Sequence, residues 1–285
     1  MSKTILITGA SSFLGAHTAQ YLAKTFRVIG IWHQTPLKLP NVESLQWNLL
    51  SSSCPSNILA EVDVVLHLAG KIQNSPEYLA HQINRQMMQT VLAMQKPVIY
   101  GSSTAVHWPQ QIPYVQSRQE DEAALMGSGL PYAILRPCAP YGPKLLTHQP
   151  KHQESFQTLI NTIRRSPVVP IIGNGHYLRQ PLHVQDFAAF CQYFLQNAFE
   201  KEVWDVAGGS VHSFNEIIAI LQSSMGTEKR TIHVPKRAAT FAARFVPNLE
   251  PSLISVIDND ESFNIANLQK RVRMRPFVEG VWDLL

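Results

Sequence analysis

A chain of 285 residues with 45% hydrophobic and 15% charged residues is an ordinary globular composition, large enough for one big domain or a domain and a smaller lobe. Its net charge of +4 is scattered, and the densest basic run, "KRVRMR" at 270–275, reads as a solvated helix face and not as a nucleic-acid surface. No apolar run approaches the roughly 20 residues that span a bilayer, and "MSKTILITG" reaches a strand too early to be a leader.

Cys54, Cys138 and Cys191 lack metal-ligand spacing and read as buried, reduced thiols. The expectation is a cytoplasmic protein with a small-molecule partner, no nucleic acid and no membrane.

In chain order, "KTILIT" (3–8) predicts a first strand that runs through a small-residue turn into the helix "LGAHTAQYLAK" (14–24). "RVIGIW" (27–32), "SLQW" (44–47) and "VDVVLHLAG" (62–70) are strand-like. A helix over 76–94, the strand "PVIYGSS" (97–103), a helix from Tyr114 to about 127 and the strand "YAILRP" (132–137) follow. Apolar strands alternating with helices predict an α/β protein with a Rossmann-like doubly wound parallel sheet, whose ligands bind beyond the C-terminal strand ends. After "PYGP" (140–143) the composition turns to His, Gln and Pro around one helix, "FQTLINTIRR", and a turn, "GNGH". "VWDVAG" returns to the sheet, and "TIHVP" is a later short strand. The expected division is a dinucleotide-binding domain of 1–142 plus 183–210 and a smaller C-terminal substrate lobe of 143–182 plus 211–285.

A strand ending at Gly9 and a helix starting near Leu14 aim backbone N–H groups and a helix dipole at an incoming phosphate. Gly9 makes the tight turn and Gly15 lets helix and strand pack closely; Ser11, Ser12, Phe13 and Leu14 complete the cradle. Ser12 stands where the pyrophosphate approaches most closely, and its hydroxyl can donate. A site selective for NAD places an acid about 20 residues after the glycines. Trp32 and His33 stand there instead, and the next acid is Glu43. No carboxylate repels a 2′-phosphate, and His33 or Lys38 can approach one, so NADP is favoured over NAD. The plainer reading is an exposed His and an aromatic lid beside the adenosine.

"GSSTAV" puts Ser102, Ser103 and Thr104 at the C-terminal end of the fifth main strand. Tyr114 and Arg118 lie one helical turn apart on one face. A phenol with a cation beside it suits general acid/base work, and a serine hydroxyl can hold the substrate oxygen. Read as residue types alone, a packed Tyr and a surface Arg fit equally well. Arg136 reads as half of a structural ion pair, and Asp186 as an N-terminal helix charge. His107, His148, His152 and His176 have no ligand spacing, so no metal is expected.

Together these motifs resemble the extended short-chain dehydrogenase/reductase family, the NAD(P)-dependent sugar-nucleotide epimerases, dehydratases and ketoreductases. The matching pieces are "TILITGASSFLG", "VDVVLHLAG", Asn84, "SST" with Val106, "YVQSR" for the family's Y-x-x-x-K, "ILRPCAPYGP", "GNGHYLRQPLHVQD" and "VWDVAGG". The short length and "VIGIWHQTP" look most like dTDP-4-dehydrorhamnose-reductase-type members.

The resemblance implies Ser103, Tyr114 and Arg118 as catalytic residues. It implies cofactor contacts from Asn48, Leu49, Leu68, Ala69, Gly70 and Pro137 as well as those above, with Tyr114 and Arg118 also on the cofactor. It implies substrate contacts from Thr104 and from Arg179, a diphosphate clamp if not a plain surface Arg, and so a nucleotide-linked sugar as substrate. Family members often dimerise through helices corresponding to 76–94 and 114–127; Met87, Met88 and Leu125 suit that homodimer or core packing. The departures are Ser12, Arg118 for Lys, Asn48 for Asp and a short loop before Tyr114. Thr104-Ala105 replace the Asp-Glu pair of the dehydratases, which argues against water elimination. The leading expectation is hydride transfer at a carbonyl or secondary alcohol. An epimerase that retains NAD and a catalytically silent nucleotide sensor are the alternatives.

Overall fold

Five consecutive buried residues, Thr4–Thr8, form β1, a central strand of a seven-stranded, wholly parallel sheet. The others are β2 (Arg27–Trp32), β3 (Val42–Gln46), β4 (Val64–His67), β5 (Val98–Gly101), β6 (Tyr132–Pro137) and β7 (Lys201–Val206), in the order β7-β6-β5-β4-β1-β2-β3. The order reverses between β1 and β4, the switch point at which doubly wound sheets take their ligands. The structure, a computed structural model, describes residues 2–51, 53–72, 77–148, 150, 155–243 and 251–285, with backbone only at 77–79 and 251–253.

Both sheet faces are covered, which is why the strands read as continuous apolar runs. Ile5 and Ile7 of β1, Leu66 of β4 and Leu135 of β6 pack on one face with Ala19 and Leu22 of α1 (Phe13–Leu22). Leu6, Val65 and Ile134 pack on the other, beyond the short helix α2 (Ser56–Glu61), with Met87, Met88 and Val91 of α3 (Glu77–Ala93) and Leu125 of α4 (Pro113–Gly127). Each large aliphatic side chain so buried contributes about 1.5–3 kcal/mol. Met87, Met88 and Leu125 are therefore core residues.

A third cluster joins Phe156, Ile160 and Ile163 of α5 (Ser155–Arg165) to Ile217, Ile218 and Leu221 of α7 (Phe214–Ser224), with Tyr141, Phe277 and Val281. Between α5 and α7, α6 (Val184–Gln196) returns to the first face through Phe187 and Phe190. "TIHVP" pairs as Arg230–Val234, in parallel, with Val168–Ile172, a strand absent from the sequence expectation. The helix expected over 76–94 spans Glu77–Ala93; residue 76 lies outside the described residues, as do 149 and 151–154 of the segment 143–182 and 244–250 of 211–285. All three cysteines are buried and free. Among the described residues no helix is long and apolar enough to cross a membrane, and no cluster of His, Cys, Asp or Glu could hold a metal.

Candidate active site

The turn after β1 is built from backbone. Gly9 has φ +69°, and a Cβ there would stand 2.5 Å from the Ala69 nitrogen; one on Gly15 would stand 2.1 Å from the Gly9 carbonyl oxygen. Only glycine suits either place. Ser12 is extended (φ −78°, ψ 168°) and caps α1, its Oγ accepting from the Gly15 N–H at 3.1 Å. Two histidines of no expected role brace this turn. His148 bonds the Ser11 carbonyl at 2.9 Å, and His17 bonds the Pro143 carbonyl at 2.9 Å, tying the segment after β6 to α1. His152 lies outside the described residues.

At the end of β2, Trp32 is half-buried against the core, while His33 and Lys38 are exposed. Glu43, the next acid in sequence, bonds Arg27 at the opposite end of the strand, 2.6 Å away. Asn48 turns its Oδ1 to the Leu50 N–H at 3.1 Å, and Leu49 is buried. Leu68, Ala69 and Gly70 follow β4 beside β1: the Leu68 N–H donates to the Thr8 carbonyl at 3.1 Å. Asn84 exchanges bonds with the Lys71 backbone and donates to Ser117 Oγ at 3.0 Å, which ties this loop to α4.

After β5, two adjacent serines separate in role. Ser102 is buried and donates to Glu122 at 2.6 Å; Glu122 in turn takes both forks of Arg136, at 2.9 and 2.6 Å. Arg136 is thus a structural ion pair. Ser103 is half-buried and caps the short helical turn Thr104–His107, accepting from the Ala105 N–H at 3.2 Å. His107 is held by Asp205 at 2.8 Å. Tyr114 sits in the first turn of α4, behind a proline at its first position, and is half-buried.

Arg118 is buried and lies against both Tyr114 (5.8 Å from the ring centre) and Tyr100 (5.6 Å), next to Gly70. The spacing that predicts this Tyr–Arg pair holds, yet the pair belongs to a larger cluster. Asp121 stands 3.2 Å from the guanidinium and accepts from the Tyr100 hydroxyl at 3.0 Å, and His67 stacks on Tyr100 and bonds Thr8 Oγ1 at 2.6 Å. Burial raises the Asp121 carboxyl above its usual range, against the pull of Arg118. Burial, reinforced by Arg118, pushes His67 down to about 3, so it is neutral. Burial disfavours the Arg118 charge, but Tyr100, Tyr114 and Asp121 outweigh it and keep the guanidinium protonated. Arg118 Nε has no hydrogen-bond partner among the described residues. Asp121 was the readable member of this cluster, because i and i+3 share a helix face.

Thr104 and Arg179, the two expected substrate contacts, meet through a residue that sequence reasoning misses. Thr104 Oγ1 donates to Glu261 at 3.0 Å, and Arg179 Nε lies 3.4 Å from the same carboxylate. Pro137 ends β6, its carbonyl 3.5 Å from Thr104 Oγ1.

A glycine turn at the switch point of a parallel sheet, with a Ser–Tyr–Arg set on the neighbouring strand and helix, defines a dinucleotide-type α/β enzyme fold. Residues 5–207 match the model of the NAD dependent epimerase/dehydratase family, and the chain belongs to that family. It is 20% identical to a UDP-N-acetyl-alpha-D-glucosaminuronate decarboxylase of Bacillus cytotoxicus, covering 89% of this chain and 90% of the relative. It is 25% identical to a ceramide reductase of Caulobacter vibrioides, covering 81% and 73%. A solved UDP-glucuronic acid 4-epimerase from Bacillus cereus, in complex with NAD, superposes with a TM-score of 0.78 at 18% identity, covering 99% of this chain and 97% of that one.

Proposed function

We propose that this enzyme transfers a hydride between a nicotinamide dinucleotide and a carbonyl or secondary alcohol, with Tyr114 as general acid/base. One observation carries the reading: Tyr114 opens α4 with the Arg118 guanidinium against its ring, beside Gly70 of the loop that adjoins the glycine turn. The turn itself fits a pyrophosphate, since both glycines are sterically required and the turn runs directly into the N-terminus of α1. When bound, the nicotinamide supplies or accepts the hydride. Tyr114 gives a proton to the oxygen in reduction and takes it in oxidation, Ser103 orients that oxygen, and the Arg118 guanidinium lies against the Tyr114 ring. His33 and Lys38, exposed where no carboxylate stands, support NADP over NAD, although the solved relative carries NAD.

The substrates named for two relatives above support a nucleotide-linked sugar. The family description and the solved epimerase equally support a second reading, in which oxidation and reduction of one bound sugar invert a centre with NAD retained. Fluorescence titration with NADPH and NADH, followed by Tyr114→Phe against a carbonyl panel, tests the proposal. Tyr114→Phe should slow turnover about 10²–10⁴-fold and weaken cofactor binding far less. A silent Tyr114 change, or no cofactor binding below the millimolar range, sinks it. NAD that survives purification would select the epimerase reading.

A further inference from the structure

Arg118 is boxed in on four sides. Tyr100 and Tyr114 face its guanidinium, 5.6 and 5.8 Å from their ring centres, Asp121 meets Nη2 at 3.2 Å, and Gly70 closes the far end. A Cβ on Gly70 would stand 3.2 and 3.3 Å from Nη1 and Nη2 but 3.6 Å from Cζ. The open end of the fork therefore leads toward the backbone of the loop after β4, and a side chain on Gly70 would crowd it.

The box is held from behind. Thr8 of β1 bonds His67 of β4 at 2.6 Å, and His67 stacks on Tyr100 of β5 with 5.6 Å between ring centres. The Tyr100 hydroxyl donates to Asp121 of α4 at 3.0 Å. All four side chains are buried, Asp121 at 2% exposure and Tyr100 at none. Three strands and a helix thus fix one carboxylate, and that carboxylate fixes one Nη of Arg118. A guanidinium is a planar fork whose donors serve only in the right plane, whereas an ammonium is a point charge on a flexible stem. An arginine at position 118 needs an orienting partner that a lysine there would not.

We infer that Tyr100 and Asp121 are positioning residues for the Tyr114 site, setting the plane of the Arg118 fork so that its open end stays at Gly70, on the expected cofactor loop. The inference rests on the hydride-transfer reading, and it accounts for an arginine where the family has lysine.

Asp121→Ala strips the partner from a buried charge and reports mainly on folding, so Tyr100→Phe is the decisive variant. It removes one hydroxyl and keeps the ring on which His67 and Arg118 pack. In nitrogen-detected arginine NMR spectra of the cofactor-free protein, rotation of the Arg118 guanidinium should be about tenfold faster in Tyr100→Phe than in wild type, the effect of losing one hydrogen bond to a charged group. With NADPH saturating, Tyr100→Phe should lower kcat about tenfold through misplacement of the fork. The same change in an Arg118→Lys background should lower it less than about twofold, because no fork remains to be oriented. Unchanged rotation overturns the proposal. An equal loss of kcat in both backgrounds overturns it too, since it would make Tyr100 a structural residue only. If wild type turns over no carbonyl, the hydride-transfer reading fails by itself, and the rotation rate still decides the positioning.

Discussion

The turn after β1 and the first two turns of α4 both pack against the loop after β4 and are stabilised in opposite ways. The turn is backbone packed on backbone, with no ionised side chain among residues 9–15. The α4 cluster takes an arginine, an aspartate, a histidine and a tyrosine out of water together and balances them against one another. A fault in the turn should therefore act through steric fit and be indifferent to pH. A fault in the cluster should act through charge.

The largest effect is expected at Asp121. Asp121→Ala leaves the buried Arg118 guanidinium without its carboxylate, and breaking one side of a buried pair costs about 3–5 kcal/mol. Urea unfolding would measure the loss. If charge is the cause, Arg118→Met in the same chain restores most of it; a double variant no more stable than the single one would place the cost in packing.

Gly15→Ala comes next. The added methyl would stand 2.1 Å from the Gly9 carbonyl oxygen and 2.9 Å from Ser12 Oγ, so the turn must open, at about 3 kcal/mol and with loss of NADPH binding. Melting at pH 6 and pH 8 should show the same deficit, and a pH-dependent deficit would erase the contrast between the two regions.

The pH dependence of the wild type belongs to the buried histidines. His67 is held down to about 3 by burial and then Arg118, and His183 down to about 4 by burial and then Arg275, both from 6.5. At high pH neither is protonated in the folded or unfolded chain. Below 6.5 the unfolded chain takes up protons that the folded chain refuses, so stability present above 6.5 is lost as pH falls toward 4 and 3. Each group adds a slope of about 1.4 kcal/mol per pH unit within its window. Urea midpoints from pH 7 to 4 should show the decline, and His67→Gln should flatten part of it; an unchanged slope would mean that His67 titrates normally.

How much of this was readable differs between the same two regions. β1, β4, β5 and β6 were legible because both their faces are buried, which leaves an uninterrupted apolar run. β3 begins at Val42, two residues before the expected start, because its residues are half-buried or exposed and its pattern is weak. Val168–Ile172 escaped notice because its partner strand lies about 60 residues further on. Tyr114 and Arg118 were found by helical spacing, and the same spacing reaches Asp121. Glu261 could not be found that way, since only the tertiary fold brings it to Thr104. The glycines of the turn carry their meaning in sequence; the carboxylate that balances Arg179 does not.

The smallest effect should fall on Ser12, the apparent irregularity of the turn. Its φ of −78° and ψ of 168° are open to any residue, so no glycine is required there, unlike Gly9 at φ +69°. What serine adds is the cap on α1, through the Gly15 N–H at 3.1 Å. Ser12→Gly should then cost only a few tenths of a kcal/mol, and Ser12→Ala about 1 kcal/mol, because alanine neither caps nor leaves the N–H open to water. NADPH affinity should stay within about threefold for Ser12→Gly, since the helix N-terminus and its backbone donors remain. Melting curves and a fluorescence titration would decide the matter. A large affinity loss in Ser12→Gly would mean that this hydroxyl donates to the pyrophosphate, and the turn would no longer be a site built from backbone alone.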